Sequence, residues 1–277
     1  MSAFAARSSA VALALALVAG ATGAQEAPRR VVSMNVCTDQ LAMLIADEGQ
    51  LVSVSWLAAD PRVSAMTGEA ARHPQNRGRA EEVFLLRPDL VLAGAYAGRE
   101  SADMLRRLGV RVEGFEPESG LDDIPDRIRQ MGRALGREAR AEALAADFEA
   151  RVARLRAEPT RRPRAALYAA NGYTSGERSL AGEILDAAGF ANVAGEAGFP
   201  EGGIMPLETL VMSDPEVLVT GGTYPGASRS EAILDHPALA GLRGRAGAAT
   251  TDGDWVCGTP FVLRAIERLA RVRRAAG

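Results

Sequence analysis

The chain has 277 residues, of which 47% are hydrophobic, which is enough material for one large domain or two smaller ones. The formal net charge is −3, and every basic residue is an arginine. Nucleic-acid binding calls for a basic face, so this composition speaks against a nucleic-acid partner.

The N-terminus predicts an exported protein. Arg7 precedes an apolar run from Ala10 to Ala21, and small residues ending at Ala24 offer a cleavage site. A membrane anchor is the alternative, but a span needs about 20 apolar residues and this run has about a dozen. We therefore predict that residues 1–24 are a cleavable signal peptide and that the mature protein is periplasmic.

Residues 29–120 predict an N-terminal α/β lobe. Strand-like apolar runs alternate with helix-like segments, which is typical of a parallel sheet covered by helices. Residues 58–79 lack periodicity and are predicted to be irregular. The predicted strands are 30–34, 51–55, 90–93 and 110–115, and the predicted helices are 39–46, 81–86 and 99–108.

Residues 121–158 break this alternation. Apolar residues recur at steps of three and four, which predicts helices, and Gly136 separates a short helix from a long one. At 1.5 Å per residue the long helix would span about 30 Å. It is either an ordinary surface helix or a linker between two lobes.

Residues 163–277 return to the α/β pattern and predict a C-terminal lobe. The predicted strands are 164–169 and 217–220, and the predicted helices are 179–188, 207–212, 229–235 and 260–274.

One supersecondary unit occurs twice. Residues 80–94 (AEEVFLLRPDLVLAG) align without a gap on residues 207–221 (LETLVMSDPEVLVTG). Two copies of one unit predict two similar lobes, and a cleft between lobes is a common place for a small ligand. The long helix lies between the copies, which favours the linker interpretation.

These features together resemble a known family. With the two copies in matching places, the segments 30–45 (RVVSMNVCTDQLAMLI) and 254–270 (DWVCGTPFVLRAIERLA) are similar to the periplasmic iron-complex and vitamin B12-binding proteins. These are class III substrate-binding components of ABC importers. The resemblance covers residues 29–272. It implies two Rossmann-like lobes joined by a single long α-helix, with the ligand cleft between the lobes.

The resemblance also implies a cargo and a partner. The cargo would be a metal chelate: a ferric siderophore or cobalamin, with heme as the alternative. The partner would be a permease dimer in the inner membrane, to which a monomer without a permanent cofactor delivers the chelate. Glu81 and Glu208, one per lobe, would meet arginines of the two permease subunits. Alternatively, each is only an acid near a helix N-terminus, which stabilises a helix by typically 0.3–1 kcal/mol.

Ligands of open α/β sheets bind outside the carboxyl ends of the strands. Aromatic rings in the loops there would stack on a planar or bulky chelate, or else pack on their own lobe. Arg99 would pair with an anionic ligand, or else be a solvated residue of the next helix. The candidate cleft residues are Asn35, Trp56, Tyr96, Arg99, Tyr173, Tyr224 and Trp255.

The two cysteines, Cys37 and Cys257, fall in predicted cleft loops of different lobes. Export permits a disulfide, which would require Cα atoms within about 7 Å. Two separate thiols, or a soft ligand pair for a metal, are the alternatives. His73 and His236 are the only histidines, too few for the usual ligand set of a bare zinc ion, so no metal-ion site is predicted. One of them as an axial ligand to heme iron is the alternative.

An exported α/β enzyme is the competing function. Residues 171–177 (NGYTSGE) read G-x-x-S-G rather than the G-x-S-x-G of a nucleophile elbow. Residues 132–136 (GRALG) lie between helical segments, so they do not form a dinucleotide-binding loop. The sequence therefore predicts no catalytic residues.

Overall fold

The computed structural model describes residues 26–157, 161–222, 226, 228–245 and 247–276. The predicted signal peptide, residues 1–24, and Tyr224 lie outside the described residues. The described helices are α1 (Val36–Ile45), α2 (Thr67–Ala70), α3 (Ala80–Leu85), α4 (Arg99–Arg107), α5 (Ile124–Leu135), α6 (Glu138–Ala157), α7 (Leu180–Ala187), α8 (Val193–Glu196), α9 (Leu207–Met212), α10 (Pro237–Arg245) and α11 (Val262–Ala276).

The described strands form two parallel sheets and one short antiparallel pair. The first sheet has the order β3-β2-β1-β4-β5, and the second has the order β11-β10-β6-β8. This confirms the prediction of an α/β fold with two lobes. The strands are β1 (Val31–Ser33), β2 (Leu51–Ser55), β3 (Gln75–Asn76), β4 (Leu90–Gly94), β5 (Val112–Phe115), β6 (Arg164–Tyr168), β7 (Tyr173–Thr174), β8 (Ala191–Asn192), β9 (Gly203–Ile204), β10 (Val217–Thr220) and β11 (Gly247–Thr250).

The sequence repeat is also a structural repeat. Strand β4 lies between β1 and β5, and β10 lies between β6 and β11. Matched residues face matched sides: Leu92 and Val219 point into one core, while Val91 and Leu218 point into the cores on the opposite faces. Because side chains alternate along a strand, this agreement fixes the same orientation for both copies.

The equivalence extends to the first strand of each lobe. The backbone N–H of Arg30 donates to the carboxylate of Asp89 at 3.0 Å, and that of Arg164 donates to Glu216 at 3.1 Å. The guanidinium of each arginine also donates to a backbone carbonyl at the end of the repeat helix. The acid that follows the proline in each repeat copy, Asp89 or Glu216, therefore holds the start of the neighbouring strand.

Helices α5 and α6 lead from the first sheet to the second. They pack closely, and a Cβ added at Gly132 of α5 would collide with the Cβ of Ala141 of α6. Gly136 ends α5 in the left-handed region, at φ 66°. The length of α6 reaches both lobes, because Arg137 just before it pairs with Asp47 at 2.6 Å and Arg151 pairs with Glu267 of α11 at 2.9 Å.

One hydrophobic core is continuous between the lobes. It contains side chains from both sheets, such as Leu92 and Val219, and from the helices between them, such as Ile128 and Phe148. Smaller clusters lie on the outer faces, under α3 and α4 in the first lobe and under α9 and α10 in the second. None of the helices in the described part of the chain has the length and hydropathy that crossing a bilayer requires.

The expectation of an irregular segment at 58–79 is wrong in part, because this segment contains α2 and β3. The two residues of β3 are too few for an alternation of apolar and polar side chains. Polar bonds fix β3 instead: the buried Asn76 amide donates to the Ser33 carbonyl at 2.9 Å and to the Val54 carbonyl at 3.0 Å. Strand β11 was likewise not predicted, since its Gly-Ala-Ala-Thr sequence carries little strand preference.

The contact between α5 and α6 generates a stability prediction. Replacing a helical glycine by alanine usually stabilises a helix by about 1 kcal/mol. We expect Gly132→Ala to lower the free energy of unfolding by about 1–3 kcal/mol, because the new methyl group overpacks the contact with Ala141. Gly241→Ala in α10 is the control. A Cβ there meets nothing within 4 Å, so this substitution should stabilise the protein. Urea titration measures both, and a stabilising Gly132→Ala would contradict the described packing.

Candidate functional site

A loop from the second lobe crosses to the first. Residues 252–259, here called the closing loop, follow β11 and face the carboxyl ends of both sheets. Cys257 in this loop forms a disulfide with Cys37 at the start of α1, with a Cα–Cα distance of 5.2 Å. The backbone N–H of Gly258 donates to Glu118 of the first lobe at 3.3 Å. The lobes are thus joined covalently beside the first-lobe cavity lined by Cys37.

The closing loop is fixed to its own lobe by charge. Asp254 is only 6% exposed and accepts hydrogen bonds from Arg264 (3.1 Å) and Arg268 (2.6 Å), both on α11. Asp252 accepts from the backbone N–H of Asp254 at 3.1 Å. A buried carboxylate is stable when it is paired in this way, so the loop has a defined position before any ligand binds.

Two cavities lie between the lobes, one on each side of the closing loop. The second-lobe cavity, about 480 Å³, lies at the ends of β6, β10 and β11 and is completed by Pro61, Arg62 and Val63 of the first lobe. The first-lobe cavity, about 410 Å³, lies at the ends of β1, β4 and β5 and is completed by residues 179–181 of the second lobe. Both volumes fall within the range of about 300–1,000 Å³ that is common for ligand pockets.

Trp255 and Val256 line both cavities and form the partition between them. Trp255 is 9% exposed and packs into the shared core, whereas Val256 is 45% exposed. The ring of Trp255 is therefore held by the protein, and only a small part of this residue is available to a ligand.

Four of the predicted cleft residues line the cavities. Asn35 and Tyr96 line the first-lobe cavity, Tyr173 lines the second-lobe cavity, and Trp255 lines both. The Asn35 side chain also caps α1, accepting from the N–H of Cys37 at 2.9 Å. Tyr96 is 74% exposed and Tyr173 is 45% exposed, so both rings have free surface.

Two predicted residues line neither cavity. Trp56 begins a 3-10 turn after β2, and the Arg77 guanidinium lies 5.9 Å from its ring centroid. Arg99 is the first residue of α4 and pairs with Asp103 at 4.0 Å. The structure therefore places Arg99 as a solvated residue of α4. A third predicted residue, Tyr224, lies outside the described residues.

Two charged residues at the cavities were not predicted. The guanidinium of Arg62 donates to Asp60 at 2.8 Å, and this bond holds the Asp60 pKa down at about 2. Arg62 thus lines the second-lobe cavity as a member of an ion pair. Glu118 lies in the first-lobe cavity, and burial raises the pKa of its carboxyl group.

Another acid, Asp39 of α1, is fully buried. It accepts a hydrogen bond from the backbone N–H of Ser55 at 3.1 Å and another from the Ser55 hydroxyl. These bonds favour the charged form, but the larger effect of burial raises the Asp39 pKa from 3.8 to about 6. Asp39 therefore joins α1 to the end of β2, but its charged form is poorly solvated there.

Glu81 and Glu208 line neither cavity and lie on the first turns of α3 and α9. Both are exposed, and neither makes a hydrogen bond or an ion pair with any residue that the structure describes. The charge of Glu208 adds to the effect of burial in raising the pKa of Tyr168, a residue of the second-lobe cavity. No group of three or more His, Cys, Asp or Glu suited to a metal ion occurs among the described residues.

Comparison with known proteins decides the family. The family model described as "Periplasmic binding protein" matches residues 31–248. The chain belongs to this family of periplasmic binding proteins. The match begins at β1 and extends into β11, so it includes both sheets.

Two curated relatives carry ligand names. A cobalamin-binding protein of Halobacterium salinarum is 31% identical over 203 residues, covering 70% of this chain and 54% of the relative. A vitamin B12-binding protein of Pectobacterium carotovorum is 25% identical over 210 residues, covering 73% of this chain and 74% of the relative. This chain thus spans about half the length of the Halobacterium protein.

A solved structure supports the fold. The apo periplasmic heme-binding protein RhuT of Roseiflexus sp. RS-1 superposes with a TM-score of 0.72 at 23% identity, covering 90% of this chain and 98% of that protein. At this identity the likeness concerns the arrangement of the two α/β lobes.

The buried Asp39 generates a pH prediction. Its pKa in the folded state, about 6, lies above the ordinary value of 3.8. Between these values the folded state holds more protons than the unfolded state, so stability falls as pH rises from about 4 to about 6. The Asp39→Asn variant does not lose stability in this way, because its side-chain amide does not titrate. The stability of the variant relative to wild type should therefore increase by about 2 kcal/mol between pH 4.5 and pH 7.

Urea titrations at the two pH values measure this difference. Asp126→Asn is the control, because Asp126 is 80% exposed and its replacement should leave the pH dependence unchanged. A difference between Asp39→Asn and wild type that is independent of pH would contradict a protonated, buried Asp39.

Proposed function

We propose that this protein is the substrate-binding component of an ABC importer. It captures a metal chelate between its lobes and delivers it to a permease dimer in the inner membrane. The observation that carries the proposal is the divided cleft, which lies at the strand ends of both sheets and is lined from both lobes. We further propose export by the signal peptide at residues 1–24 and action as a monomer.

Cobalamin or a ferric siderophore is the proposed cargo, and the curated relatives named for cobalamin and vitamin B12 favour cobalamin. Heme is the alternative, supported by the fold likeness to the heme-binding RhuT. In each case the metal arrives already chelated. This suits a cleft whose cavities include neither His73 nor His236.

The geometry favours binding without a large lobe movement. The disulfide and the shared core join the lobes before the ligand arrives. A preformed cleft lowers the entropic cost of binding. Tyr173 and Tyr96 offer ring surface to a planar or bulky chelate.

An exported enzyme is the competing proposal. Catalysis by a nucleophile requires a base within hydrogen-bond reach, and the described cavity-lining residues include no histidine beside a serine or cysteine. A binding protein should leave each chelate chemically unchanged after prolonged incubation. Conversion of the chelate would favour the enzyme.

The cargo proposal predicts binding with specific ring contacts. Titration with cyanocobalamin, a ferric siderophore or hemin should quench tryptophan fluorescence for one compound without turnover. Tyr173→Ala should weaken that binding about 3- to 10-fold, because a stacked ring contributes about 0.5–1.5 kcal/mol beyond its buried area. Tyr173→Phe keeps the ring and is the control. Absence of binding to all three chelates would contradict the proposed cargo class.

Docking on the permease is proposed for Glu81 and Glu208. The acids occupy equivalent positions in the repeat, both are exposed, and their charges are not neutralised by described neighbours. Two equivalent acids suit a partner with two equivalent basic residues. Charged groups at the edge of an interface chiefly set orientation and association rate.

Charge reversal tests this docking. The double variant Glu81→Lys with Glu208→Lys should abolish uptake while leaving chelate affinity unchanged, because neither residue lines a cavity. Glu48→Lys with Glu100→Lys makes the same change in net charge at two other exposed positions and should transport normally. Transport assays in spheroplasts measure both, and normal uptake by the Glu81/Glu208 variant would refute the docking role.

A further inference from the structure

The two most exposed large hydrophobic side chains of the described chain occupy matching positions. Leu85 is 79% exposed and Met212 is 85% exposed. In the alignment of 80–94 with 207–221 these two residues fall opposite each other. A single exposed leucine or methionine is common on a protein surface. A matched pair, one in each lobe, requires another explanation.

Each of these side chains is four residues after a proposed docking acid. Leu85 follows Glu81 on α3, and Met212 follows Glu208 on α9. Residues four apart lie on the same face of a helix, about one turn from each other. Each lobe therefore presents an acid and an apolar side chain side by side. We call these the first patch (Glu81 and Leu85) and the second patch (Glu208 and Met212).

The repeat buries the other face of the same helices. Val83 of α3 is fully buried on its sheet, and Leu210 of α9 occupies the equivalent position. The helices are thus held in place by one face, while the other presents the patch. The two patches lie on different lobes, so each is available to a separate partner surface.

Building on the proposed function, we infer that Leu85 and Met212 are apolar contacts for the permease. Each inserts into an apolar recess beside the basic residue that its neighbouring acid meets. A dimer of equivalent subunits presents the same surface twice, which suits two equivalent patches on one chain. The acids govern association, and the apolar side chains, once desolvated, slow dissociation.

The experiment compares Leu85→Ser, Met212→Ser and the double variant with wild type. Binding to the cognate permease complex in nanodiscs is followed by surface plasmon resonance, and chelate binding is followed by fluorescence. We expect the double variant to dissociate at least about tenfold faster with an association rate within about twofold of wild type. Each single variant should be intermediate, and Met212→Leu should behave as wild type.

Leu108→Ser is the matched control. Leu108 is 50% exposed and follows α4, outside the repeat, so its replacement should leave dissociation unchanged. Unfolding midpoints of the Leu85 and Met212 variants should equal that of wild type, because both residues are largely solvated.

Three results would overturn the inference. First, the double variant could dissociate from the permease at the same rate as wild type, while wild type binds both chelate and permease. This result would refute the apolar contact and leave the proposed importer function intact. Failure of wild type to bind the permease would overturn the inference and the proposed partner together. A wild-type dimer that the double variant converts to a monomer, measured by sedimentation, would assign the patches to a second copy of this chain.

Discussion

The shared hydrophobic core is the constraint on which the rest of the structure depends. Side chains of both sheets pack on the same helices, among them α5, α6, α7 and α11, so the lobes are not separate bodies joined by a flexible linker. The disulfide between Cys37 and Cys257 adds a covalent link on the cleft side. Because the lobes are fixed at both places, the cleft between them exists before a ligand binds.

The repeat and the closing loop form different surfaces of the molecule. The repeat places equivalent residues on the outside of both lobes, where a symmetric partner can meet them. The closing loop belongs to the second lobe alone, and it makes the cleft asymmetric by placing Trp255 and Val256 between two cavities. Chelate recognition can therefore vary in the loops without disturbing the outer surface.

The sequence predicted the fold better than it predicted the site. Runs of apolar residues between turn signals gave β2 and α9 with the bounds that the structure has. Strand β3 was missed because buried polar bonds of Asn76, rather than apolar alternation, hold it. The strand-end rule selected Asn35, Tyr96, Tyr173 and Trp255, which line the cavities, but also Trp56, which lines neither. Arg62 reaches the second-lobe cavity only through the packing of one lobe on the other, and a sequence pattern does not contain that packing. For the same reason the pairing of the cysteines remained open.

Differential scanning calorimetry of the oxidised protein and of a Cys37→Ser, Cys257→Ser variant tests the shared core most directly. Because the core is continuous, both proteins should unfold in one transition whose calorimetric and van't Hoff enthalpies agree. Removal of the disulfide should lower the transition temperature without splitting the transition. Two resolved transitions in the variant, one for each lobe, would contradict a common core.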